Sequence, residues 1–213
     1  MQRTKRLRKL RMALKWRLSR LEKRLKTVSS SSPRPDREIA VAYVAIEALN
    51  AWAMFSRSFY LSLELNTVTE HNKKVTMSTP AADHLGDAIR HYKPHATPNT
   101  LGVWSRRDEP TWHDPNVLLT ICNNRGCSVQ TQLQASFSLQ QNFFRHLPVC
   151  RNFFAHRNES TSRAARNIAP GYALPTSLTP CDLMLSASPG SSSSVLLAWM
   201  DEMNITAEFI CKA

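Results

Sequence analysis

The chain has 213 residues, with 28 Lys and Arg against 16 Asp and Glu, for a formal charge of +12. That length is enough for one well-buried domain and too short for two large ones. The five glycines, Gly86, Gly102, Gly126, Gly171 and Gly190, are too scattered to form a phosphate-cradling loop, which excludes the common nucleotide folds. Few segments alternate with period two, so the expected fold is all-α: a bundle of five or six helices with a basic N-terminal helix.

The charge is unevenly placed. Residues 1–27 hold twelve Lys/Arg and one Glu, so the rest of the chain is close to neutral and an electrostatic partner meets this segment first. Leu7, Leu10, Leu14, Leu18, Leu21 and Leu25 recur at helical spacing with cations between them, the pattern of a basic amphipathic helix. Its leucine stripe can pack on the body or on a partner helix. Its cationic face can meet RNA, DNA or anionic lipid, with nucleic acid ranked above membrane. The Arg- and Ser-rich, acid-poor composition of the first 32 residues also matches a mitochondrial transit peptide.

Val28 to Pro35 reads as a Ser/Pro linker and Asp36 as the cap of the next helix. The expected organisation is therefore a basic helix over 1–27, a linker over 28–35 and a helical domain over 36–213. From Arg37 to about Leu65 there is no Pro or Gly and nearly every face is apolar, as in the buried centre of a bundle. Glu47, Asn50 and Arg57 are its polar exceptions, and Glu47 and Asn50 share a face. The longest uninterrupted apolar run, Ile39 to Ile46, has eight residues, against roughly 18 for a bilayer span, so no transmembrane segment is expected.

Further helices are expected from about Pro80 to Tyr92, over 116–122, over 128–147, over 149–168 after Pro148, and from Val195 to about Cys211. Residues 93–115 and 170–194 read as loops, with Trp104 and Trp112 anchoring the first on the core. Five cysteines, an odd number without a signal-peptide pattern, fit buried free thiols and a cytoplasmic location. Cys122 and Cys127 lack a second pair at zinc-finger spacing, and Pro94 interrupts the register of His91 and His95, so no metal site is expected.

The most informative stretch is Pro148-Val-Cys-Arg-Asn-Phe-Phe-Ala-His-Arg157. On a helix Asn152 and His156 lie on one face, where the amide can fix the imidazole tautomer, while Arg151 offers a planar fork for phosphate. Arg145 and His146 upstream, with Arg163 and Arg166 downstream, are either further phosphate ligands or an exposed basic face.

This R-N-x-x-x-H stretch after a proline, at the start of a late helix in an all-α chain, resembles the Rx4-6H motif of the HEPN superfamily of ribonucleases. The long apolar helix with Glu47, Asn50, Trp52 and Arg57 resembles that family's first core helix. Glu109-Pro110-Thr111-Trp112 fits its loop less specifically. The likeness covers about residues 36–211 in architecture and 148–157 as a sharp motif. It implies RNA cleavage of the toxin or antiviral-defence kind by a homodimer, with neither metal nor cofactor, and Arg151, Asn152 and His156 as catalytic residues. Glu47 would orient His156 or Arg151, and Arg157, Asn50, Arg57 and Arg145 would bind substrate. An antitoxin or regulatory protein would be a further partner. The alternatives are an inactive module of the same fold that binds RNA, nucleotide or protein, and a membrane-surface or assembly protein led by residues 1–27.

Overall fold

The computed structural model describes residues 7–27, 33–63, 65, 67–78, 82–139 and 141–212. Among them the fold is all-α, with three isolated β-bridges and no strand. The helices are α1 (Leu7–Lys26), α2 (Arg34–Leu63), α3 (His84–Tyr92), α4 (Pro115–Asn124), α5 (Gln130–Ser138), α6 (Asn142–His156), α7 (Glu159–Arg166), α8 (Pro180–Leu185) and α9 (Val195–Lys212). Most of the expected linker, and Pro80, lie outside the described residues. The chain divides into two compact units, residues 1–13, 52–139 and 206–213, and residues 14–51 and 140–205.

The first unit is built on Phe55, Phe59 and Tyr60 of α2, Ile89 of α3, Leu118 of α4 and Leu133 of α5, all buried. Asp83 caps α3, accepting from the Gly86 amide at 2.9 Å and from Trp104 Nε1 at 2.7 Å, so Trp104 pins the irregular segment after α3. A side chain at Gly86 would collide with both groups, its Cβ falling 2.0 Å from Asp83 and 2.7 Å from Trp104. Trp112 is buried and stacks 5.6 Å from Tyr60. Both tryptophans thus anchor the loop. In the same unit Arg11 forks onto Glu70 with bonds of 2.5 and 3.1 Å.

The second unit holds the motif helix. Phe143, Leu147, Cys150 and Phe154 of α6 step by 4, 3 and 4, and all are buried, forming one apolar stripe. That stripe explains a departure from the sequence reading. Pro148 does not start a helix; it lies inside α6. Proline removes one ladder hydrogen bond, and continuous packing on both sides of it outweighs the loss. The motif therefore ends a helix, where Arg157 turns left-handed at φ 42° and its amide closes onto the Phe153 carbonyl at 2.7 Å. The expected 149–168 helix is two helices, with Asn158 capping α7 by a reciprocal bond with Thr161. The loop over 170–194 contains α8, begun by Thr179 accepting from the Asp182 amide at 3.1 Å, with Pro180 in its first turn.

The long helices also differ in detail from expectation. Leu7, Leu14, Leu18, Leu21 and Leu25 of α1 are buried, so the leucine stripe packs within the chain. Helix α2 begins at Arg34, which places Asp36 in its first turn. By length and composition α2 is apolar enough to cross a membrane, with a mean hydropathy of 1.5, and 56% of that stretch is buried inside the chain. Counting only uninterrupted apolar runs misses this, because Glu47 and Asn50 break the run without lowering the mean below that level. All five cysteines are free and buried.

Candidate functional site

The last two turns of α6 present Arg151, Asn152 and His156, all exposed. None of the three makes a side-chain hydrogen bond or ion pair with another described residue, and in particular Asn152 and His156 are not joined. Arg145, six residues before Arg151, is also exposed and forms no ion pair with another described residue. Arg157 alone is held, with Nη1 3.5 Å from Glu38 Oε2. Glu38 also accepts from Arg34 Nε at 3.0 Å, so one carboxylate sits between two guanidinium groups.

The other sequence-derived residues make their bonds elsewhere and none of them bonds to this motif. Asn50 donates to Glu47 at 3.1 Å, which bears out their shared face, but Glu47 makes no bond to Arg151 or His156. Arg57 belongs to the first unit, where Nε and Nη2 reach Glu109 at 2.5 and 3.0 Å. Glu109 also accepts from Trp112 Nε1 at 2.9 Å. The Glu109–Trp112 stretch is thus the structural partner of Arg57.

Two features of the second unit escaped the sequence reading. The first is a polar chain behind the motif face of α6. Trp199 Nε1 donates to the Tyr172 hydroxyl at 2.6 Å, and that hydroxyl lies 2.7 Å from His146 Nδ1. Indole nitrogen can only donate, so the Tyr172 hydroxyl accepts from Trp199, and the direction of its bond to His146 follows the imidazole tautomer. Burial, then the neighbouring Arg145, hold the His146 pKa below its ordinary value, and burial pushes that of Tyr172 up. Glu202 accepts from the Phe143 amide at 2.9 Å, and burial raises its pKa.

The second feature is a cleft of about 180 Å³ lined by Phe153 and Phe154 of α6, Ser162 and Arg166 of α7, Thr179, Pro180 and Cys181 around the start of α8, and Arg34 and Glu38 of α2. The Cys181 thiol, raised to about 11 chiefly by burial, stays protonated. Arg166 Nε is buried without a hydrogen-bond partner. Only the Thr179–Pro180 helix start could have announced this cleft from sequence, since its walls come from four separate segments. Among the described residues no three His, Cys, Asp or Glu side chains converge as a metal site would require.

Compared with known proteins, the chain matches no family model, no curated protein and no solved structure.

Proposed function

We propose that the protein is a metal-independent endoribonuclease of the HEPN toxin or antiviral-defence kind, cleaving RNA by attack of the 2′-OH at a cleft shared by two copies of the chain. One observation carries this reading. Arg151, Asn152 and His156 all stand exposed on α6 and serve no side-chain bond to another described residue, so their chemistry is available to something outside the chain. The reaction needs a group to take the 2′-OH proton, one to protonate the leaving 5′-oxygen, and cations for the charge on phosphorus. One chain supplies one motif histidine, and a two-fold pair supplies two. His156 moves the protons, Arg151 holds the phosphate, and Asn152 positions the ribose or the imidazole.

A module that binds RNA without cutting it is favoured by a different observation: among the described residues no side chain bonds to His156. Incubating purified protein with RNA and analysing the fragment ends separates the two. The ribonuclease reading expects 2′,3′-cyclic phosphate ends and their loss in His156→Ala, with melting temperature unchanged because the side chain is exposed. Cleavage that survives in His156→Ala refutes it, and binding without cleavage assigns the module.

A further inference from the structure

The second unit has two cavities of note, and their charges separate them. The larger, about 240 Å³, carries Glu22 and Asp201 beside Lys26, and Lys26 is already paired with Glu22 at 2.5 Å. Two carboxylates against one occupied cation repel phosphate. The smaller cleft has the opposite character. Arg34 and Arg166 line it with a single carboxylate, Glu38, and Phe153 and Phe154 give it an aromatic wall. It also shares α6 with the motif.

A buried guanidinium N–H without an acceptor is costly, and Arg166 Nε is in that state. Its neighbour Arg163, by contrast, is satisfied by Glu159 at 2.7 Å. No described carboxylate pairs with Arg166, so its guanidinium charge is uncompensated where it lines the cleft, and the ligand such a cation favours is an anion. Phosphate alone would not need the phenyl rings. A nucleobase would use them, stacking on an aromatic face and bonding to hydroxyls such as Ser162 and Ser177. The volume lies below the roughly 300–1,000 Å³ of drug-sized sites, which limits the occupant to one nucleotide.

We infer that this cleft is a subsite for a single nucleotide, with Arg166 on its phosphate and the Phe153–Phe154 wall on its base. Glu38 acts there as the phosphate's competitor. It accepts from Arg34 at 3.0 Å and lies 3.5 Å from Arg157 directly after the motif, so an entering phosphate displaces a carboxylate and gains two guanidinium groups. The choice of a nucleotide rests on the ribonuclease reading, since it places an RNA unit beside the scissile bond.

The test is calorimetric titration of the full chain with adenosine 5′-monophosphate and, separately, with inorganic phosphate. The nucleotide should bind one per chain and more tightly than phosphate. Arg166→Gln should weaken it about tenfold, the worth of one charged hydrogen bond. Ser177→Trp, at an exposed loop position, should block the cleft without lowering the melting temperature. Glu38→Gln should tighten binding severalfold, and His156→Ala should leave it unchanged. Equal binding of phosphate and nucleotide, or nucleotide binding unaffected by Ser177→Trp, overturns the inference. If RNA is never cut while this binding pattern holds, the ribonuclease reading fails and the nucleotide site stands. If Ser177→Trp cuts RNA with unchanged KM and no nucleotide binds, the cleft fails and the ribonuclease reading stands.

Discussion

Helix α1 carries the chain's excess charge on one side and buried leucines on the other, which decides how its role must be tested. Removing the segment would uncover Leu7, Leu14, Leu18, Leu21 and Leu25, all buried. Truncating one such leucine costs about 2–5 kcal/mol, and five together approach or exceed the whole stability of a domain, about 5–15 kcal/mol. A deletion would therefore report unfolding. Arg8, Lys15, Arg17 and Lys23 are exposed and form no ion pair with another described residue, so changing these four to Gln keeps the helix former and removes only charge. If all four touch phosphates of single-stranded RNA, the slope of log K against log salt flattens by about 2.8. Each doubling of salt then weakens the parent about sevenfold more than the variant. Trp16, 60% exposed with Arg20 4.8 Å over its ring, offers a base a stacking surface on the same helix. Fluorescence anisotropy on the His156→Ala background measures binding without cleavage. A slope unchanged by the four substitutions would refute the assignment of α1 to RNA and move it to lipid, a protein partner or targeting.

The His146 chain makes stability depend on pH. Because burial holds the folded His146 pKa below its ordinary value, the unfolded chain takes up a proton at about pH 6.5 that the folded chain refuses. Stability is thus full above that pH and falls as pH drops toward the folded value. Chemical denaturation at about pH 7 and about pH 5.5 should show a smaller loss in His146→Gln than in the parent. His84, lowered by burial and Arg125, and Glu202, raised by burial, shift alike in both proteins; equal losses would deny His146 its part. For the shared cleft, mixing His156→Ala with Arg151→Ala chains should restore some RNA cleavage that neither shows alone. A fully active monomer at high dilution would refute that model.

The helical fold was legible because its signals are local. Leucine spacing fixed α1, the apolar run fixed α2, and Val195 to Cys211 was placed within a residue of α9. Boundaries failed where packing overrode a local breaker: Pro148 reads as a start, yet the stripe Phe143–Leu147–Cys150–Phe154 carries α6 through it. Short α8 was missed because its Thr-Pro-x-Asp start sits in a Ser/Pro-rich stretch that looks like loop. That Arg151, Asn152 and His156 share one helix was legible because they lie within six residues of each other. The pairing of Arg57 with Glu109 was not legible because the two are 52 positions apart, and no local pattern announces such an ion pair. The cleft was unreadable for the same reason, since Arg34, Phe153, Arg166 and Thr179 meet only after folding.

The position of the motif at the end of α6 changes which groups can work together. At 3.6 residues per turn Asn152 and His156 are about 40° apart around the helix, whereas Arg151 and His156 are about 140° apart. A single phosphate on the His156 side is therefore poorly placed for Arg151 of the same chain, and on the ribonuclease reading the opposing arginine would come from a second copy facing the first. Arg157 behaves differently. Its left-handed backbone takes it out of the helical repeat, and it lies on Glu38, the carboxylate that also holds Arg34 of the cleft. Arg157 thus links the end of the motif to the cleft through Glu38, while Arg151 points to another side of α6 and on the ribonuclease reading would serve a second copy. On this geometry Arg151 and Arg157 have different tasks. If the ribonuclease reading and the nucleotide subsite both hold, loss of Arg151 should lower turnover, because it would meet the reacting phosphate only in the paired state, and loss of Arg157 should raise KM, because it would hold the neighbouring nucleotide in both states.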